Sequence, residues 1–277
     1  MDLEKLTRDV IDLAREVGDW LREERARIVE SDVEVKGQGD FVSHADRNAE
    51  ERLTAGLTAL LPGSVVMAEE FAPEARGGEW RWIVDPLDGT SNYLQGLPVY
   101  AVSIGLEDRR GNPEGFGPRV LGVVYVPALN TMYDAWLGGG AHRNGSPIHV
   151  RGNRDLKRAV IATAFPFRER HMIDGYLSLF RHLYPNIADF RRIGAAAADL
   201  CWVADGTFDG YFEMDLKPWD LAAGSLIIEE AGGQVTDWWG DDVLGSGWVV
   251  CGTPTTFTAL RETIDQDEFE PPKQRWK

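Results

Sequence analysis

The tightest constraint on how this chain can fold is Pro86. It stands one residue beyond the apolar run Trp82-Ile83-Val84 and between two aspartates, in Trp82-Ile83-Val84-Asp85-Pro86-Leu87-Asp88-Gly89-Thr90-Ser91-Asn92. Aromatic and β-branched residues with no periodic polar face read as a buried strand. Proline has no N–H to give a ladder, so the strand is expected to stop there and release Asp85 at its carboxyl end. Asp88-Gly89 then predicts a turn, with Thr90-Ser91 capping a short helix. Two carboxylates three residues apart on a rigid turn can converge on a hard divalent cation, and the Gly89 and Thr90 amides at a helix start suit a phosphate. Taken alone, Asp88-Gly89 reads first as an ordinary turn with capping residues.

Spacing sets two other motifs aside. An EF-hand loop needs acidic residues at alternate positions and a glutamate at the twelfth, where Gly96 stands counting from Asp85. Phosphatases with an aspartyl nucleophile carry aspartates separated by one residue. Here Pro86 and Leu87 make it two, so a phosphorylated aspartate is not expected.

The length of 277 residues allows one large domain or two small ones. A net charge of −16 argues against nucleic-acid backbones and anionic membranes as partners, and an anionic substrate would need local cations. Cys201 and Cys251, each in apolar company, do not suggest a disulfide framework. Met1-Asp2-Leu3-Glu4 shows no basic-then-apolar signal, and no apolar run reaches the ~20 residues of a spanning helix. The expectation is a cytoplasmic protein.

Leu3, Leu6, Val10, Leu13, Val17, Trp20 and Leu21 recur at helical steps. Lys36–Asp40 reads as a turn or loop. Ser43-His44-Ala45-Asp46 opens a second helix to about Leu61, and Ser43 with Asp46 fits a capping box. His44 reads as a surface residue of that helix. Val65–Ala68 is a short buried strand delivering Glu69-Glu70 at its end. Strands follow at Val99–Leu106, Val120–Val126 and Thr131–Trp136, with Arg109–Arg119 as a polar hairpin tip. After a looser break near Arg151–Arg158, strand and helix alternate: strands at Val160–Ala164, Asp189–Ile193 and Gly210–Glu213, helices at Met172–Leu183 and Gly194–Ala204. Lys217-Pro218-Trp219-Asp220 opens a further helix that Gly232-Gly233 ends. Asp220 in its first turn can also be read as complementing the helix dipole. Val235–Asp237 and Trp248–Cys251 are late strands. Residues 1–265 are expected to form a single catalytic domain, with halves meeting near 153–154 and a polar tail over 266–277.

Ala68-Glu69-Glu70, Asp85–Asn92 and Trp219-Asp220-Leu221-Ala222-Ala223-Gly224, in that order, resemble the three signature motifs of the inositol monophosphatase family. Asp40–Asp46 is similar to its first acidic motif and Arg191–Ala196 to its substrate loop. The bacterial branch is resembled at Ala162–Phe167. Ala68 stands where a glycine is usual, and Ser91-Asn92-Tyr93 where Thr-Asn-Phe is commoner.

The resemblance implies an α/β fold, a layered αβαβα sandwich of the sugar-phosphatase type, and Mg²⁺-dependent hydrolysis of a phosphate monoester by water. It implies that Glu69, Asp85 and the Leu87 carbonyl hold one Mg²⁺ and that Asp85, Asp88 and Asp220 hold a second. A third would use Glu69 with waters. Glu70, paired with Thr90, and Asp46 would orient the attacking water. The Gly89 and Thr90 amides would bind phosphate, while Glu213, Gly194, Ala195 and Ala196 would face the organic part. A homodimer is implied as well. The substrate expected is a small phosphate ester like inositol-1-phosphate. Fructose-1,6-bisphosphate, histidinol phosphate and 3′-phosphoadenosine phosphates remain alternatives, as does a regulatory protein without activity. A second phosphate would need a basic pocket, for which Arg191, Arg192 and Lys217 are the nearby candidates.

Overall fold

The computed structural model describes residues 1–27, 33–37, 40–71, 77–152, 155–166 and 169–266. Helix α1 (Leu3–Glu24) starts where the Asp2 carboxylate accepts from the Lys5 amide at 3.0 Å, and it buries Leu6, Val10, Val17 and Leu21. Strands β1 (Val33–Gly37) and β2 (Asp40–Ser43) pair as an antiparallel hairpin. Only a turn was expected there, and its centre, residues 38 and 39, lies outside the described residues, as do Phe167 and positions 267–277. Helix α2 (His44–Leu60) follows at once and buries Leu53 and Leu57.

Strand β3 (Val65–Ala68) lies parallel to β4 (Trp80–Asp88), and the short helix α3 (Thr90–Gln95) leads to β5 (Ala101–Asp108). Strands β6 (Arg119–Val126), β7 (Thr131–Trp136), β8 (Gly140–Arg143) and β9 (Ser146–Ile148) complete a seven-stranded sheet in the order β3-β4-β5-β6-β7-β8-β9. Pro86 does not end β4. Asp85 pairs with Ser103 and Asp88 with Ala101, so Pro86 and Leu87 bulge out opposite a single residue. A bulge is where a strand tolerates a residue without an N–H, which is why the strand continues. The tip before β6 is polar as read, but Arg109 at its start is buried.

The second half builds β10 (Val160–Thr163), α4 (Ile173–Leu183), β11 (Asp189–Arg191), α5 (Ala196–Ala204), β12 (Gly210–Glu213), α6 (Pro218–Glu230), β13 (Gln234–Thr236), β14 (Val249–Gly252) and α7 (Pro254–Gln266). Its five-stranded sheet has the order β11-β10-β12-β14-β13. No helix was read at α7, whose threonines are poor helix formers; Leu260 anchors it in the core.

The layers follow from which faces are apolar. Helix α1 has one apolar face and packs outside the first sheet, with α2 beside it. Helix α6 is apolar nearly all round, because with α5 it lies between the two sheets. Helices α4 and α7 cover the far side of the second sheet. The result is the αβαβα sandwich that the resemblance implied. Close approach of α6 to the first sheet requires glycine at 122, where a Cβ would sit 2.7 Å from the Ala223 carbonyl oxygen. That approach carries Asp220, on the first turn of α6, toward the end of β4. No helix among the described residues is long and apolar enough to cross a membrane.

Candidate metal centre

Two separate pieces of chain bring three carboxylates together. The bulge in β4 redirects Asp85 and Asp88, and the N-terminus of α6 supplies Asp220; each places an oxygen within 4.8 Å of the others. Hydrogen bonds hold the pieces in place. Asp85 Oδ1 accepts from the Leu87 amide at 2.9 Å. Asp88 accepts from the Ala196 and Ala197 amides at 3.2 and 2.8 Å, so the metal-motif turn caps α5 from across the molecule. Asp220 Oδ2 accepts from the Lys217 amide at 2.7 Å, and Ser103 on β5 donates to the Trp219 carbonyl at 3.1 Å. Asp220 lies in the first turn of α6, where it can also complement the helix dipole.

The cluster is electrostatically costly as it stands. Burial lifts Asp85 well above the ordinary carboxylate range, and the neighbouring Glu69, Asp88 and Asp220 charges push it further. Burial and then Asp220 raise Asp88 to about 7, against the amides of Ala197 and Ala196. A set of oxygen donors that is buried, like-charged and pre-positioned fits a hard divalent cation.

Thr90 does not cap α3. Gly89 takes the N-cap position with φ of +82°, a conformation that favours glycine, and Thr90 enters the first turn. The Thr90 hydroxyl instead lies 3.1 Å from Asp46 Oδ1 and 3.0 Å from the Leu87 carbonyl oxygen. Asp46, near the start of α2, is buried. Glu69 and Glu70 lie in the turn after β3, as the sequence suggested, and the Glu70 amide donates to Glu50 Oε2 at 2.6 Å. His44 pairs with Glu24 at 3.2 Å, a half-exposed contact away from the cluster.

The substrate-loop residues also converge here. A Cβ on Gly89 would lie 3.0 Å from Ala195 Cβ and 3.2 Å from the Gly194 carbonyl oxygen. Asn92 ties the two loops together, its Nδ2 donating to the Val99 carbonyl at 2.8 Å and the Ile193 carbonyl at 3.0 Å. Glu213, at the end of β12, is buried and accepts from the Tyr211 hydroxyl. Burial raises it to about 8; Tyr211 opposes this, and Asp220 and Asp88 add to it.

Two nearby residues escaped the sequence reading. Asn92 was quoted within a motif without a role. Asp199 is 1% exposed in α5, and its Oδ1 has no hydrogen-bond partner. Burial, then Glu213 and Asp88, lift its pKa. Its signal was the single charge in the otherwise apolar stretch Ala195–Ala204.

Buried aspartates converging from a strand bulge and a helix start, between the layers of an α/β sandwich, define a candidate divalent-metal centre. The model of the inositol monophosphatase family matches residues 2–267. A "fructose-1,6-bisphosphatase/inositol-1-monophosphatase" of Aquifex aeolicus is 42% identical, covering 79% of this chain and 80% of its own. A "Nus factor SuhB" of Vibrio cholerae is 38% identical over 92% of this chain and 93% of its own. Among solved structures, an IMPase of Thermotoga maritima superposes with a TM-score of 0.81 at 30% identity, covering 93% of this chain and 95% of that one. The chain therefore belongs to the inositol monophosphatase family, a family of phosphomonoesterases.

Proposed function

We propose that this protein hydrolyses the phosphate monoester of a small polyol, of the inositol-1-phosphate kind, with Mg²⁺ bound at the acidic cluster. The convergence of Asp85, Asp88 and Asp220 carries this reading. Glu69, Asp85 and the Leu87 carbonyl would hold one ion, and Asp85, Asp88 and Asp220 a second; a third would lean on Glu69. When bound, Mg²⁺ supplies charge neutralisation for the phosphate and a lowered pKa for its water.

The chain's own residues do the rest. Thr90 has one hydroxyl proton and two acceptors in reach. Donating it to Asp46 leaves the Leu87 oxygen open toward a cation and Thr90 Oγ1 free to accept from a water. Asp46, Thr90 and Glu70 would thus orient the attacking water. The Gly89 and Thr90 amides would hold phosphate, with Gly194, Ala195, Ala196 and Glu213 against the alcohol. Asp85 and Asp88 act as ligands rather than nucleophiles, so no phosphoenzyme is expected.

The cations near the site favour a monophosphate. Arg191 is engaged by Asp189 at 2.5 Å and Lys217 by Asp215 at 3.3 Å, which leaves Arg192 rather than a basic cluster to meet a second phosphate. Residues 1–265 are read as one catalytic unit, supported by α5 and α6 packing between the sheets. A homodimer is carried over from the family. The charge of −16 and the buried free thiols Cys201 and Cys251 support a cytoplasmic protein without nucleic-acid or membrane partners.

The Nus-factor relative favours a second reading, a regulatory protein that kept the fold; the retained, mutually repelling carboxylates weigh against it. One experiment separates them: phosphate release from inositol-1-phosphate, fructose-1,6-bisphosphate, histidinol phosphate and 3′-phosphoadenosine-5′-phosphate, with and without Mg²⁺. Mg²⁺-dependent turnover fastest on inositol-1-phosphate is expected. Faster turnover of another ester replaces the substrate, and no turnover of any leaves the regulatory reading.

A further inference from the structure

Away from the metal centre, a cavity of about 340 Å³ opens between the first half of α1 and strands β7 and β8. Helix α1 packs across β6 and β7, so the sheet face near β8 is left uncovered. Alternate residues of β7 point into the gap: Met132, Asp134 and Trp136. Met132 and, from the helix, Ile11 give an apolar wall. The Trp136 indole lies stacked on His142 of β8, with centroids 5.3 Å apart and planes at 15°.

The charges in this cavity are imperfectly matched. Asp134 is only 5% exposed yet lines the cavity. Its cross-strand neighbour His142 brings Nδ1 to 3.3 Å from Asp134 Oδ2, but that nitrogen is buried without a hydrogen-bond partner. The pair thus has ion-pair distance without hydrogen-bond geometry, and the Asp134 carboxylate at the cavity wall can take a better-placed donor. At the rim stand Arg8 and Arg15. Arg8 pairs with Glu4, which also lines the cavity, at 3.5 Å with side chains 67% and 60% exposed, and Arg15 lies over the Tyr125 ring and reaches Asn130 at 3.4 Å. Contacts this exposed or this long are worth little and exchange readily.

We propose that this cavity is a second binding site, separate from the metal centre, for a small zwitterion with a flat apolar portion. The ammonium group would be taken by Asp134, the carboxylate by Arg8 and Arg15, and the flat portion would lie against Trp136 and Met132. A plain anion would meet the Asp134 carboxylate unpartnered, and a plain cation would face the two guanidinium groups. The volume suits a molecule of amino-acid size.

The test uses the intact protein in excess Mg²⁺, with binding followed by calorimetry. L-Phenylalanine is the zwitterionic probe; phenylpropionate lacks its amine and phenethylamine its carboxylate. Phenylalanine should bind saturably with a Kd on the order of 1 mM or tighter, and each half-probe about tenfold or more weaker. Asp134→Asn should weaken phenylalanine to the level of phenylpropionate without weakening phenylpropionate itself. The paired change Arg8→Gln, Arg15→Gln should weaken phenylalanine and phenylpropionate but not phenethylamine. The arginines lie at the surface, so this arm stands even if Asp134→Asn compromises folding. No saturable phenylalanine binding, equal binding of a half-probe, indifference to the arginine changes, or displacement by inorganic phosphate would each overturn the proposal.

Discussion

At one end of β4, Arg81 and its neighbour Arg109 close on the buried Glu107 of β5, which also accepts from the Gly117 amide at 2.8 Å. At the other end, four residues along the same strand, Asp85 meets Glu69, Asp88 and Asp220. Both ends are buried, and burial is the leading cause that raises Glu107 and Asp85 alike. At Glu107 two arginines oppose that rise. At Asp85 the neighbouring charges reinforce it, and a single backbone N–H opposes. One end is a finished ion pair; the other is half of one, whose missing half a cation would supply. A fold that matches buried charge internally at Glu107 but leaves it unmatched at Asp85, earlier in the chain, is suited by that mismatch to hold a cation.

The largest expected effect tests that missing half. Excess EDTA should abolish phosphate release and added Mg²⁺ should restore it; full turnover in EDTA would end the metal reading. The next contrast concerns sign. Glu107→Gln leaves Arg81 buried without its counter-charge and should cost about 3–5 kcal/mol in urea unfolding, while the Mg²⁺ concentration for half-activation stays unchanged. Asp220→Asn removes one repelling charge, so in EDTA-treated protein it should raise stability while turnover is lost. If both substitutions destabilise the metal-free protein alike, the two ends are not opposites.

The sequence showed one end of this contrast and hid the other. Glu69, Asp85, Asp88 and Asp220 were legible because motif order joins residues far apart in the chain, and that order carried the sandwich fold with it. Arg109 was legible only as part of a polar hairpin tip, since nothing local says that it turns inward, and Arg81 and Glu107 carried no local signal at all. The bulge at Pro86 was missed for a related reason. Proline forbids a ladder bond, but whether the chain leaves the sheet or bulges within it depends on β5, a partner the local window does not contain. The capping of α5 by Asp88 and the isolation of Asp199 likewise depend on tertiary neighbours.

Acidity sharpens the contrast. Asp88 at about 7 and Glu213 at about 8 both lie above their ordinary values of 3.8 and 4.5. The folded protein therefore keeps protons that the unfolded chain has lost. The stability this gives is fully present below the ordinary values and is lost as pH rises through about 7 and about 8. Metal-free protein should show a Tm that falls between pH 5 and pH 8, and saturating Mg²⁺ should flatten the slope, since a bound cation favours the ionised acids. A metal-free Tm that climbs over this interval contradicts the cluster's unmatched charge.

Glu213 lies where the comparison has its boundary. It is a buried carboxylate raised partly by Asp220 and Asp88, like a member of the metal cluster, yet its hydrogen bond comes from the neutral Tyr211 hydroxyl. It comes from the second sheet, at the end of β12, whereas Asp85 and Asp88 come from the first. If it faces the substrate alcohol, Glu213→Gln removes only acceptance from a ring hydroxyl. A lost charge-assisted hydrogen bond of about 1.5–3 kcal/mol corresponds to roughly 10–150-fold in kcat/KM for a polyol phosphate. A phosphate ester without neighbouring hydroxyls should scarcely change. Metal ligands behave otherwise: Asp220→Asn should slow every ester, because all share the same phosphate and the same water. Comparing the two substitutions on inositol-1-phosphate and on a simple aryl phosphate decides where the cluster ends. An equal loss on both esters for Glu213→Gln would move Glu213 into the metal centre, and a loss confined to one ester for Asp220→Asn would move Asp220 out of it.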